Sequence, residues 1–560
     1  MMKLFPHQVE ALKWMKSTEV RPRMVPDQPH GGILAHAMGL GKTMTMLSMI
    51  WTQPPSLTLV VCPKSLLLQW NTEAMRVGWS EHSITKYHGA NRKLNVEDVD
   101  RSHHHLVLTT FDIVRTDSQT RVLQDIHWDR LVLDEAHRIC EQNSKTAKSI
   151  CALSARNRWC ITGTPFKNGM SDLIALSRFL MVAPYCHISW WRWYGNSVSK
   201  LREWRRLFLH IREKSILELP PVEYHTLDVE LSVAERKLET RVSEAMWKVI
   251  VADDDDVCVA SSHHHDQHEL LRILRTRQAC NHPLLVTPHE CVKHLLLEGG
   301  GGGDACACAA CGSGDTVVAV AASCQHVLCK RCGDEPVCAV CIAHTLHPRR
   351  DTSTGWLHSA KTAALWEYLD TVACVRTSTA KVVIFSQWTT CLDLLAWMLN
   401  AYNVGHARYD GRVNTIEERE SVITHFRTTS TCNVLLTSLG AGGEGVNLTF
   451  ASHVVIMEPY WNLAVEQQAI DRLHRIGQQN VTHVARLHVK RSVEEWVMSI
   501  QTRKTNELNR LLFDENSEPP KQTMSKRQRL RPQFEVDSGL TSTMSNTSVG
   551  GGLQMYLCRK

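Results

Sequence analysis

Short apolar runs, each stopping at a loop of small or charged residues, recur along this chain and constrain its fold more than any other feature. LTLVVCP (57–63), HLVLTTF (105–111), DRLVLDEAH (129–137) and RWCITGTP (158–165) have the length and apolar content of buried strands, and helical patterns lie between them. Strand and helix in alternation build a parallel α/β sheet covered on both faces. The same pattern returns at 381–490 in KVVIFSQ, HARYDG, NVLLTSLGAGGEG, HVVIMEP and THVARLHV. The expected fold class is therefore α/β, with two parallel-sheet lobes. A chain of 560 residues is too long for one core and has room for both.

The rest of the chain differs in composition. Residues 186–285 are rich in Trp, Arg and Leu and read as mostly helical, and EGGGGGD (298–304) is a flexible joint leading into a cysteine cluster. After residue 514, Ser, Thr, Pro, Gly and basic residues read as a disordered tail. The expected divisions are a first lobe at 1–185, a helical insertion and the start of the second lobe at 186–297, a Gly-rich joint and zinc segment at 298–350, the second lobe at 351–514, and the tail at 515–560. MMKLFPHQVEALKWM has no apolar signal core, and no apolar run approaches the roughly 18 residues of a membrane span. An intracellular protein with no membrane partner is expected. In such a protein, the clustering of eight of the 20 cysteines at 306–341 points to metal rather than disulfides. The net charge of +6 permits a polyanion partner without requiring one.

Two motifs in the first lobe carry phosphate chemistry. AMGLGKT (37–43) follows an apolar run and opens a helix, so its backbone N–H groups can cradle phosphates. Lys42 would reach the β/γ-phosphates, and Thr43 would ligate Mg²⁺. DEAH (134–137) ends an apolar strand, where Asp134 can hold Mg²⁺ and Glu135 can orient the attacking water. In the second lobe, QQAIDRLHRIGQ (467–478) sets Arg472 and Arg475 three apart, on one face of an expected helix. Two guanidiniums aimed at a γ-phosphate held by the other lobe would act as arginine fingers.

LFPHQVEAL, GGILAHAMGLGKT, LVVCPKSLLLQW, LDEAH, ITGTPFKN, KVVIFSQW, RYDG, TSLGAGGEGVNL and YWNLAVEQQAIDRLHRIGQ stand in the order of the superfamily-two helicase-like ATPases. The chain resembles the Swi/Snf family of DNA translocases over about residues 1–285 and 356–505. The resemblance implies two RecA-like lobes that bind ATP and Mg²⁺ and move on double-stranded DNA through its phosphate backbone, with nucleosomes as a further partner. It implies that Gln8 reads adenine and that Gly39, Leu40, Gly41, Lys42 and Thr43 form the nucleotide loop. It implies that Thr162, Gly163 and Thr164 couple hydrolysis to DNA, and that Gly443, Gly445 and Asn447 face DNA and nucleotide. The chain departs from the family at His36-Ala37, where the family has Asp-Glu, and at IREK (211–214), where one arginine is lost.

The cysteine segment reads C-x₂-C, twelve residues, C-x-H-x₂-C-x₂-C, five residues, C-x₂-C. Seven cysteines and one histidine suffice for two tetrahedral Zn²⁺ sites, and so short a segment needs metal to fold. The spacing resembles a RING finger, with a zinc ribbon of another type as the alternative. The RING resemblance implies one zinc on Cys308, Cys311, Cys329 and Cys332, and another on Cys324, His326, Cys338 and Cys341. A RING placed after LRILRTRQACNHPLLV (271–286) is similar to the subgroup of helicase-like transcription factor, which pairs a motor with ubiquitin ligation. A ubiquitin-conjugating enzyme is then an expected partner, against which Ala309 and Ala339 stand where ligases often carry other residues. The compact chain is what a virus-encoded member would have, and the nucleus is the expected compartment. Two rivals stay open: a ubiquitin ligase that the ATPase tethers to DNA, and a non-enzymatic DNA-binding scaffold. The runs His103–His105 and His263–His265 are read as loops, because adjacent residues point in different directions. WWRWY (190–194) is read as helix packing.

Overall fold

In a computed structural model, the apolar runs are strands of two separate parallel sheets. The described residues are 4–20, 30–89, 92–94, 102–141, 143–163, 170–195, 197–242, 262–287, 317–320, 327–329, 338–377, 379–413, 415–442 and 446–512. The first sheet contains β1 (His30–His36), β2 (Leu57–Cys62), β3 (Ile84–Lys86), β4 (His105–Thr110), β5 (His127–Asp134), β6 (Ser154–Ile161) and β7 (Leu209–Arg212). Their order is β3-β4-β2-β5-β6-β1-β7, all parallel. Every residue of β2 is buried, because successive side chains enter cores on opposite faces of the sheet. Leu57, Leu59 and Val61 fill one core, and Val60 and Cys62 the other.

The second sheet uses β8 (Val222–Val229), β11 (Val382–Ser386), β12 (Gly405–Tyr409), β13 (Cys432–Ser438), β14 (His453–Ile456) and β15 (Thr482–Val489). Its order is β12-β13-β11-β14-β15-β8, again parallel throughout. Val382 and Ile384 face one core, and Val383 and Phe385 the other. The stretch read as mostly helical thus gives one strand to each sheet. β7 has four residues, and β8 alternates polar with apolar positions as an edge strand does, so neither forms an apolar run.

Between the lobes, β9 (Val317–Val320) and β10 (Val327–Cys329) form an antiparallel pair. The helix Ala339–Leu346 follows, and its Ile342 and Leu346 are buried in the second-lobe core beside Leu284 and Trp356. Cys338 and Cys341 flank the start of this helix. Cys308, Cys311, Cys324, His326 and Cys332 lie outside the described residues, and for Cys329 only the backbone is described. The reading of the histidine runs as loops is corrected in part: His105 opens β4, and His263–His265 lie in the helix Ser262–Asn281. His104 packs its ring on Trp51 and Trp79, while His105 lies 2.9 Å from the Thr85 hydroxyl. In WWRWY, Trp191 is buried and its indole donates to the Tyr185 carbonyl. Trp193 is exposed. No helix among the described residues is long and apolar enough to cross a membrane.

Candidate functional site

β5, β6 and β1 are adjacent, so their C-terminal ends bring Asp134, Thr162 and the glycine loop to one place. Ligands of open parallel sheets bind at such strand ends. The loop turns through Gly39 (φ +87°) and Gly41 (φ +73°), a left-handed region that favours glycine. A Cβ on Gly41 would run into the Gln8 side-chain amide. Gln8 reaches the loop from the helix Pro6–Glu19, its Nε2 donating to the Leu40 carbonyl at 3.3 Å.

The helix Lys42–Trp51 starts directly after Gly41 and has neither a side-chain cap nor an acid in its first turn. Its first N–H groups are left for a ligand. A cation at a helix N-terminus is unfavourable unless an anion joins it, so Lys42 placed here fits a phosphate. Lys42 Nζ donates to the carbonyls of His36 (2.9 Å) and Ala37 (3.3 Å). Burial pulls its ammonium below the usual value, while Glu135, Asp134 and Asp471 hold it up. Thr43 is the next residue of the same helix turn.

Asp134 Oδ2 accepts the Trp70 indole N–H at 2.7 Å, and Oδ1 accepts the Glu135 backbone N–H at 2.9 Å. Glu135 sits in the left-handed region at φ +54°, a strained position for a non-glycine residue. Burial and the Glu135 charge push the Asp134 carboxyl up to about 7. Burial also acts to raise Glu135, but His137 at 3.2 Å, with Lys42 and Arg472, outweighs it and holds the carboxyl down at about 2. Two adjacent buried carboxylates that resist joint ionisation form a donor set suited to a divalent cation. Thr162 is buried beyond β6, its N–H bonded to the Leu34 carbonyl at 3.2 Å. Gly163 follows so closely that a Cβ there would stand 3.4 Å from Lys42 Nζ. Thr164 lies outside the described residues.

The second lobe meets this site through residues 471–477. Arg475 lies against the glycine loop, since a Cβ built on Gly39 would be 2.9 Å from Arg475 Cβ. Arg472 is buried, and its charge acts on both Lys42 and Glu135. The expected helix face is corrected: the helix Leu463–Ile470 stops before both arginines, which stand in a chain of turns. Lys214, from the connection between the sheets, packs against these turns. Its ammonium donates to Asp471 Oδ1 at 2.6 Å and to the His474 carbonyl, while the His474 ring lies 2.9 Å from the Pro220 carbonyl. Of these contacts, the one to the His474 carbonyl takes a backbone acceptor that a continuing helix would use. Arg475 Nε is buried with no hydrogen-bond partner among the described residues. Burial lowers the Arg475 pKa, against the nearby charges of Glu73 and Asp471. Asn447 adjoins Leu448, whose N–H bonds the Arg472 carbonyl at 3.0 Å. Gly443 and Gly445 lie outside the described residues.

Sequence reasoning passed over Trp70, His137, Lys214 and Asp471. Each stands inside a quoted motif, LVVCPKSLLLQW, DEAH, IREK and QQAIDRLHRIGQ, but none was given a role.

The SNF2-related domain matches residues 7–285, and the helicase conserved C-terminal domain matches residues 360–477. DNA repair protein RAD5B of Arabidopsis thaliana is 31% identical over 87% of this chain and 46% of its own length. The chain thus spans about half of that relative. The probable global transactivator of Orgyia pseudotsugata multicapsid polyhedrosis virus is 30% identical over 91% of both chains. Among solved structures, the Sulfolobus solfataricus SWI2/SNF2 ATPase core in complex with dsDNA covers 91% of this chain at 20% identity, with a TM-score of 0.34. With a relative aligned over nine-tenths of both chains and the two domains in order, the chain belongs to the SWI/SNF family of helicase-like ATPases.

Proposed function

We propose that this chain hydrolyses ATP in the cleft between its lobes and uses the cycle to move along double-stranded DNA. The observation that carries the reading is the approach of the second lobe to the glycine loop, where Arg475 packs on Gly39 and the Arg472 charge acts on Lys42 and Glu135. In this reading the loop N–H groups and Lys42 hold the β- and γ-phosphates, and Gln8 stands by the adenine. Glu135 holds the attacking water and accepts its proton as the water oxygen bonds to the γ-phosphorus and the β–γ bridging oxygen leaves with ADP. Arg472 and Arg475 stabilise the charge on the transferred phosphoryl group. Thr43 and Asp134 would hold Mg²⁺, which when bound neutralises phosphate charge. Opening and closing of the cleft would then step the lobes along the phosphate backbone without reading sequence. The relatives, DNA repair proteins among them, favour DNA as the track and the nucleus as the place.

The cysteine segment belongs to the same proposal as a RING finger with two zinc ions. Cys338 and Cys341, three apart at a helix start, suit one shared ion. Ubiquitin ligation is the second reading, favoured by this segment's position between the lobes.

ATPase rate measured with and without duplex DNA tests the main reading. Duplex should raise the rate, Lys42→Ala should abolish it, and Glu135→Gln should bind ATP without cleaving it. A Lys42→Ala protein that keeps most of its DNA-stimulated rate overturns the site. For the cysteine segment, Cys338→Ser should remove one bound zinc per chain, and an unchanged zinc content contradicts the shared ion.

A further inference from the structure

A second cluster of metal-ligating side chains stands at the other end of the second-lobe strands. β8, β15 and β14 are neighbours, and their register sets His453 beside His483, His483 beside Glu223, and Ala485 beside His225. Residues two apart on a strand share a face, so Glu223, His225, His453 and His483 all stand on one face. Farther along, that face carries Val455, Ala485 and Leu487 of the core. The imidazoles occupy the N-terminal end of an otherwise apolar surface, whereas the nucleotide loops follow the C-terminal ends of strands.

The rings are stacked. His453 and His483 have centroids 4.7 Å apart with planes at 21°, and His225 and His483 are 5.7 Å apart at 28°. His483 Nδ1 lies 3.2 Å from Glu223 Oε2 and 3.4 Å from His225 Nε2. One ligand atom from each of Glu223, His225 and His483 falls within 4.8 Å of the other two. Hydrogen bonding accounts poorly for this arrangement. An imidazole nitrogen carries at most one hydrogen, so His483 Nδ1 can at best divide one between the carboxylate and the other ring. A shared cation uses the lone pairs of all three atoms. Zinc bonds of about 2.0–2.2 Å in tetrahedral geometry place neighbouring ligand atoms roughly 3.4 Å apart, close to both short distances.

The surroundings fit a resident ion. His453 is buried, with its Nδ1 3.0 Å from the Ser452 hydroxyl, and supports the His483 ring from the core side. The Tyr368 ring packs 6.2 Å from His225 and 6.4 Å from His453. Glu223 is more than half exposed and His483 about one-quarter exposed, which gives an ion a route from solvent. Imidazole nitrogens select zinc-like transition metals over Mg²⁺ or Ca²⁺.

We propose that Glu223, His225 and His483 bind one zinc-class divalent cation that staples β8 to β15, with His453 as a positioning residue. Among the described residues β8 has no other sheet neighbour, and it is the strand into which the chain runs after leaving the first sheet at Arg212. The cation would fix the second-lobe end of the connection that carries Lys214. This assignment is independent of the ATPase reading and of the cysteine segment.

The test uses the full chain, stripped with a chelator and reloaded with Zn²⁺ or Co²⁺ alone. His225→Ala/His483→Ala should carry one zinc fewer per chain than the parent. Its Co²⁺ spectrum should keep the thiolate-to-cobalt charge-transfer bands of any cysteine sites. Because the double variant removes two packed rings, Glu223→Ala on the exposed edge provides a second test. It should weaken binding of one zinc about tenfold or more and leave the melting temperature of the metal-free protein unchanged. Unchanged zinc content in the double variant, a loss taken from the thiolate sites instead, or unchanged zinc affinity in Glu223→Ala overturns the proposal.

Discussion

His36 ends β1 at the mouth of the glycine loop, and its Nε2 lies 2.9 Å from His210 Nδ1 on β7. Burial, followed by His210 and Lys42, holds the His36 imidazole down at about 2. Burial and Arg212 hold His210 at about 4. Both rings are therefore neutral in the folded protein at physiological pH. Because their folded values lie below the unfolded value, the unfolded chain binds more protons once the pH drops below about 6.5. Their contribution is complete above that point and falls with pH, by about 2 kcal/mol per neutral ring at pH 5, until about pH 4 for His210 and about pH 2 for His36. His210→Gln should shrink the stability difference between pH 7.5 and pH 5 by about that amount in urea unfolding. An undiminished difference would contradict the neutral pair. This pair also gives the departure His36-Ala37 a physical account: His36 Nε2 finds a partner on β7, while Lys42 keeps its place on the carbonyls of the same two residues.

At the scale of elements, the connection between the sheets and the turns at 471–477 act together. Lys214 holds Asp471 and the His474 carbonyl, and so sets where Arg472 and Arg475 stand. Lys214→Met removes the ammonium while keeping the bulk of the chain. It should lower kcat by about 10–100-fold through misplacement of the arginines, with ATP affinity little changed. Parallel measurement of turnover and nucleotide affinity checks this, and an unchanged kcat would show that the turns hold themselves. This coupling was not legible in the sequence, because Lys214 and Asp471 are 257 positions apart. The same holds for His225 and His483, 258 apart, which only the register of β8 on β15 brings together. What was legible is local. LTLVVC declares a buried strand by itself, and AMGLGKT and LDEAH carry their chemistry within a few residues of a strand end. The turns after Ile470 are held by Lys214 and Pro220, which belong to another part of the chain and give no signal within 467–478.

At the scale of the whole molecule, each parallel sheet is covered on both faces, and the strand ends of the first meet the turns at 471–477 of the second. The account rests on that meeting, because neither lobe alone holds both the phosphate loop and the arginines. An arginine finger acts on the transition state more than on ground-state binding. A DNA grip spread over both lobes would not depend on one side chain. Titrating duplex DNA against the ATPase rate of Arg475→Ala tests this most directly. The account predicts a maximum rate lower by about 10³-fold or more at every DNA concentration, with ATP affinity within a few-fold of the parent. Recovery to near the parental maximum at high DNA concentration would contradict it, and would make 467–478 a DNA-binding segment instead.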